Sequence, residues 1–254
     1  MRILYIAIFF VLGTLMGSFF TVIGLRLPKH EDFIKNHSYC DKCKHKLSLL
    51  DMIPILSFFF LKKKCRYCHK SIDSLSTYME FFTGVLFALA YFVFGFSYEL
   101  FIALGIIALL VILSVSDVTY LIIPDEILIF FSGFFLILIT LKSGVLVALF
   151  SILSGIIMFL IMYAIMLIGN FIFKKESLGG GDIKLMFLFG LVIGFPMAVC
   201  TIFLATFIAF PVALVILFSD RENVIPFGPF LSMAAILILI VKLDLGRVLS
   251  FLVK

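Results

Sequence analysis

The stretch SLGGGDIKLM, residues 177–186, decides how the chain folds: three glycines run into Asp182 at the point where an apolar segment begins. An acid there is costly in a membrane helix and calls for a reason. A second stretch, SDVTYLIIPD at 116–125, supplies the other half, with Asp117 closing one apolar run and Asp125 opening the next. Asp117 and Asp182 thus both stand at the ends of apolar segments.

Composition puts those segments in a bilayer. With 64% hydrophobic residues, 14% charged residues and a mean hydropathy of +1.28, a chain of 254 residues has too little polar surface to coat a soluble globule. The expected fold class is an all-α polytopic membrane protein. The formal net charge of +5 does not imply nucleic acid, because residues 26–74 alone hold 11 Lys and Arg against 5 Asp and Glu. That excess is a topology signal and places the segment in the cytoplasm.

Outward from the two acids, residues 3–25 form an apolar run longer than a secretory core, with Arg26 and Lys29 behind it. We expect an uncleaved first helix with its N-terminus outside. Next comes the long polar segment 26–75, then apolar runs at about 77–96, 101–116, 127–141, 145–169, 183–195, 197–218 and 227–243. About eight transmembrane helices result, organised as a first helix (1–25), a cytoplasmic loop (26–75) and a seven-helix core (76–254). Crossing parity brings Asp117 and Asp182 to the cytoplasmic face. Lys174, Lys175 and Lys184 agree with that orientation, whereas Lys142 and Arg247 fall outside. The sequon Asn36-His37-Ser38 carries no meaning in a cytoplasmic loop.

Two runs look short. At about 1.5 Å per residue, 101–116 and 183–195 reach roughly 24 and 20 Å against a hydrocarbon core of about 30 Å. Either the later one continues through Gly194-Phe195-Pro196, or its acid-bearing end lies below the surface. Gly190 and Pro211 are candidate bends.

The loop carries Cys40-x2-Cys43 and Cys65-x2-Cys68 with 21 residues between the pairs, two knuckles that can close a tetrahedral zinc site. Four thiolates leave no open coordination position, so such a metal is structural. A disulfide pair would require an extracellular loop. His45 and His69, beside the knuckles, are read as exposed loop residues, and Cys200 as a small buried hydrophobe.

Two carboxyls close enough to share a proton can cleave a peptide, one taking a proton from water while the other donates to the scissile carbonyl. Gly179, Gly180 and Gly181 remove side chains beside Asp182, leaving room for an extended substrate backbone. The bland alternative for Asp182 is a helix N-cap. Asp117 has no such excuse at a helix C-terminus, where the macrodipole disfavours an anion. Asp125 and Glu126 after Pro124 read as helix-start acids. Lys184 reads as a snorkelling lysine and is carried with the three glycines as a candidate substrate contact.

These motifs resemble the type IV prepilin peptidase family, also called prepilin leader peptidase/N-methyltransferase. The pieces are GSFFTVIGLRLP (17–28), SYCDKCKHKLSLLDMIPILSFFFLKKKCRYC (38–68), Glu80, SDVTYLIIPD (116–125), GGGDIKL (179–185) and IPFGPFL (225–231), in the family's order. The resemblance implies a multi-pass aspartyl endopeptidase of a bacterial plasma membrane. It would remove the short basic leader from type IV prepilins or pseudopilins at the cytoplasmic face, with Asp117 and Asp182 as the catalytic pair. It also implies N-methylation of the new N-terminus with S-adenosylmethionine, for which no Gly-rich nucleotide fingerprint stands out. Thr21, Thr119 and Ser76-Thr77 depart from the family's usual residues. The rival from another class is a proton-coupled transporter using the two acids as a relay.

Overall fold

A computed structural model describes residues 1–32, 38–40, 42–71, 74–174, 178–218 and 226–242. Asn36, His37, Lys175 and Arg247 lie outside the described residues. Contacts divide the chain into two compact units, Met1–Leu100 and Phe101–Lys254.

The first unit contains α1 (Arg2–Arg26), the short α2 (Leu56–Phe60) and α3 (Leu75–Phe94). At 25 residues, α1 is about 38 Å long, enough to cross a bilayer. It packs along α3 in the opposite direction: the Arg2 guanidinium, near the start of α1, donates 2.7 Å to the Phe92 carbonyl near the end of α3. Phe9 stacks on Tyr91 with ring centroids 4.7 Å apart. The polar residues in this seam are satisfied locally, as an apolar solvent demands. Thr21 donates 2.8 Å to the Gly17 carbonyl, and Thr83 donates 2.6 Å to the Met79 carbonyl.

The second unit is built from α4 (Tyr98–Tyr120), α5 (Asp125–Ser143), α6 (Val145–Phe173), α7 (Gly180–Ile193), α8 (Phe195–Leu217) and α9 (Gly228–Val241). Single glycines at positive φ, Gly144 (+85°) and Gly194 (+79°), end α5 and α7 and start the next helix at once. Turns this short force antiparallel neighbours. The finish of α4, the starts of α5, α7 and α9, and the finishes of α6 and α8 therefore share one end of the unit. Of the apolar 18-residue stretch in each helix, 78% is buried in α4, against 28% in α5, 22% in α6 and 17% in α8. The outer helices turn side chains such as Phe130, Phe150, Phe171 and Phe207 outward, which suits lipid and no aqueous surface.

Among the described residues the eight apolar runs are eight helices, six of them long and apolar enough to cross a membrane. One expectation needs correcting. The run at 101–116 is not short, because its helix extends from Tyr98 to Tyr120, and polar residues at both ends hid the last turns. The break at Gly194 is real, so α7, with 14 residues, is only about 21 Å long. Neither Gly190 nor Pro211 ends its helix. Gly190 is instead where α7 meets α6: a β-carbon there would stand 2.9 Å from the Gly155 α-carbon, and Ser154 donates 2.8 Å to the Gly190 carbonyl. Gly190→Ala should therefore destabilise the protein by about 1–3 kcal/mol through overpacking. A thermal melt in detergent checks this, and an unchanged midpoint would mean that the crossing is loose.

Candidate functional site

Asp117 lies in the last turn of α4 and Asp182 in the first turn of α7, at the shared end of the second unit. Both are buried, at 7% and 8% exposure, where an acid without a task is expensive. The capping alternative for Asp182 does not hold: the N-cap of α7 is Gly179, and the helix start has no side-chain cap bond. The Asp182 main-chain N–H is bonded to the Gly179 carbonyl at 3.1 Å. Its Oδ1 is buried and has no hydrogen-bond partner among the described residues.

The two carboxyls converge on the start of α9. A β-carbon built on Gly228 would stand 3.1 Å from Asp117 Oδ2 and 3.7 Å from Asp182 Oδ1, so those oxygens lie within the sum of these distances of each other. The start of α9 thus brings the Gly228 main chain beside the Asp117 carboxyl. Two acids from different helices thus face one small volume, an arrangement that can hold a shared proton and a water.

The α4–α5 turn closes one side. Leu121 adopts φ +56°, the buried Ser116 hydroxyl donates to the Ile122 carbonyl, and Pro124 caps α5. Ile123 is thereby driven against α7 and α9. Its Cβ lies 2.7 Å from where a Gly181 side chain would begin, and its Cδ1 lies 3.1 Å from the same point on Gly228. The three glycines therefore differ. Gly181 gives its space to Ile123, Gly180 faces open space, and the vacant side-chain position of Gly179 is 3.4 Å from Asp182 Oδ2. Sequence inspection does not single out Ile123 or Gly228. The one signal for Gly228 is its place in IPFGPFL.

Lys184 reaches across to α5, its Nζ 2.7 and 2.8 Å from the two oxygens of Asp125. Both side chains are about half exposed, so the pair is worth at most about 1 kcal/mol. Replacing Lys184 and Asp125 by Ala separately divides the roles. If Lys184 only ties the helices together, both variants should shift the apparent KM equally and slightly. A rise confined to Lys184→Ala identifies a substrate contact.

In the first unit, the Sγ atoms of Cys40, Cys43, Cys65 and Cys68 all lie within 4.8 Å of one another. Cys40 and Cys68 are 3.9 Å apart, close to the ~3.8 Å edge of a tetrahedron with Zn–S bonds of about 2.3 Å. The two knuckles are built alike. Cys40 N–H donates to His45 O and Lys44 N–H to Cys40 O; Cys65 N–H donates to Lys70 O and His69 N–H to Cys65 O. His45 and His69 stay exposed and outside the ligand set, with the His45 ring packed 3.7 Å from Tyr67. Cys200 in α8 is partly buried.

The thiols perturb one another. Hydrogen bonding, first from the Cys43 main chain, draws the Cys40 thiol down to about 7. The main-chain bond from His45 would lower Cys43, but desolvation and the neighbouring thiols of Cys68, Cys40 and Cys65 together push it up to about 11. Four sulfurs this close ionise together only around a cation, so the donor set fits a metal such as zinc.

Asp51 buttresses the loop. It accepts from the Ser48 N–H and hydroxyl at 3.1 and 2.8 Å and from Tyr67 at 3.2 Å, and its Oδ1 is 2.9 Å from Arg66 Nε. Burial alone would raise its carboxyl, but the Ser48 bonds and Arg66 hold it below the ordinary range. Buried Glu80 on α3 accepts 2.8 Å from the Ile55 N–H, tying the loop to the helix pair.

Residues 11–94 match the Bacterial Peptidase A24 N-terminal domain, and residues 104–214 match the Type IV leader peptidase family. A Bacillus subtilis protein named prepilin leader peptidase/N-methyltransferase is 33% identical over 237 residues, covering 91% of this chain and 92% of that protein. Proteins of the same name from Myxococcus xanthus and Vibrio cholerae are 31% and 32% identical, covering 74% and 83% of this chain and 56% and 86% of their own lengths. No solved structure matches. The comparisons give no support to a transporter.

Proposed function

The chain belongs to the type IV leader peptidase family, and from that premise we propose that it is a membrane aspartyl endopeptidase cleaving the short leader from type IV prepilins or pseudopilins. The observation that carries the proposal is the convergence of Asp117 and Asp182, from α4 and α7, on Gly228.

In the proposed reaction one carboxylate takes a proton from water, and the hydroxide so formed adds to the scissile carbonyl. The other carboxyl gives its proton to that oxygen. The tetrahedral centre then collapses, the C–N bond breaks, and the amine leaves with a proton from the pair. The leader departs with a new carboxylate and the pilin with a new amino terminus; no covalent enzyme intermediate forms. Gly179 and Gly180 leave the flank of Asp182 open to an extended substrate backbone.

The relatives' name supports N-methylation of the new amino terminus as a second activity, with S-adenosylmethionine as the methyl donor. We assign no residue to that step. In the four-cysteine loop, Cys40, Cys43, Cys65 and Cys68 would hold one structural zinc, supplying rigidity and no activated water. The site faces the cytoplasm of a bacterial plasma membrane, a placement supported by the 11 basic residues of 26–74 and by crossing parity.

Purified protein in detergent, mixed with a full-length prepilin, should release the leader as read by mass spectrometry. An uncut prepilin under conditions where the protein is folded would overturn the proposal.

A further inference from the structure

Gly228 is held from both sides. As the first residue of α9, its N–H has no acceptor within the helix, and Pro229, next along, has no N–H to offer. The main-chain N–H groups of Phe230 and Leu231 already bond to the Phe227 carbonyl at 3.1 Å. The Gly228 N–H is thus the donor left for a side chain at this helix start, and the Asp117 carboxyl is the acceptor beside it. On its other side, the fully buried Ser232 hydroxyl donates 3.0 Å to the Gly228 carbonyl, fixing the residue that carries the donor.

The missing side chain matters as much. A β-carbon 3.1 Å from Asp117 Oδ2 is inside ordinary carbon–oxygen contact, and at 3.7 Å from Asp182 Oδ1 it would crowd the space that both carboxyls border. Gly228 is not among the glycines at positive φ, so alanine meets no backbone penalty there. Its effect would come through the neighbours, Asp117 and Ile123.

We propose that Gly228 is a positioning residue for the proteolysis: its N–H orients the Asp117 carboxyl, and its bare α-carbon keeps open the gap in which the two acids and the water meet. This inference rests on the aspartyl-protease reading above. Gly228→Ala displaces a carboxyl by a few tenths of an ångström, and misplacement of 1 Å costs about 10²-fold in such reactions. A loss of about tenfold in kcat is expected, with little change in KM.

The test measures kcat, KM and thermal midpoint on a full-length prepilin in liposomes for the unaltered protein, Gly228→Ala, Gly228→Ala with Ile123→Val, and Ser232→Ala. Asp117→Asn and Asp182→Asn run alongside. The expected result is a lower kcat for Gly228→Ala at near-normal KM and midpoint, not rescued by Ile123→Val, which removes only the competing contact. Unchanged kcat, or recovery with Ile123→Val, overturns the inference, since the glycine would then serve packing against Ile123. Should Gly228→Ala not fold, Ser232→Ala decides: a lower kcat at normal KM and midpoint supports the inference, and a normal kcat overturns it. Active Asp→Asn variants would sink the protease reading itself; inactive ones beside a fully active Gly228→Ala sink this inference alone.

Discussion

Asn in place of either Asp117 or Asp182 will leave the protein folded and lower prepilin cleavage by about 10³-fold or more, within the range for losing a general acid or base. The amide keeps the shape of the carboxyl but can neither take a proton from water nor deliver one to the carbonyl. Both side chains are buried at 7% and 8% exposure, and among the described residues neither carries an ion pair that its loss would orphan, so the fold should tolerate the exchange. The double variant should be no slower than either single one, because groups that act as a unit do not lose activity additively. Cleavage measured by mass spectrometry on folded, monodisperse protein checks all three. If one Asn variant turns over normally, that acid is structural and the pair is not the catalyst.

Removing metal from the four-cysteine loop should have the next largest effect, and a different one. Cys65 is the most buried of the four ligands, at 2% exposure, with its N–H fixed on the Lys70 carbonyl. Cys65→Ser, or a strong chelator, should cost several kcal/mol of stability in the first unit, since metal binding free energy in such small sites is folding free energy. Limited proteolysis within 38–71 and a lowered thermal midpoint would show it, and metal analysis should give one zinc per chain. Cys43→Ser, at the exposed corner, should cost less. Cleavage by molecules that remain folded should continue, because no closed four-sulfur site activates water. An unchanged melt after chelation would remove the structural role from the cysteines.

Much of this was legible in the sequence for reasons of periodicity and solvent. Apolar length announces a membrane helix, a Cys-x2-Cys pair announces a knuckle, and an acid at the end of an apolar run announces itself by its cost. What sequence cannot supply is which distant residues fill the same space. Lys184 and Asp125 pair across 59 positions, and nothing local to either predicts it. The glycines before Asp182 look equivalent in the sequence, yet Ile123 occupies the space beside Gly181 and leaves that beside Gly180 open. Helix ends were misjudged for a related reason: the turn holding Asp117 is polar enough to look like loop, while its backbone continues helically to Tyr120.

The pair is tested most directly by an uncleavable prepilin analogue carrying a secondary alcohol in place of the scissile carbonyl, a mimic of the tetrahedral centre. Aspartyl catalysis requires both acids to grip that hydroxyl. The unaltered protein should bind the analogue at least about 10²-fold more tightly than the matching uncut substrate. Asp117→Asn and Asp182→Asn should each lose that advantage while still binding the substrate. Equal affinity for the analogue in the unaltered protein and either Asn variant would contradict the account.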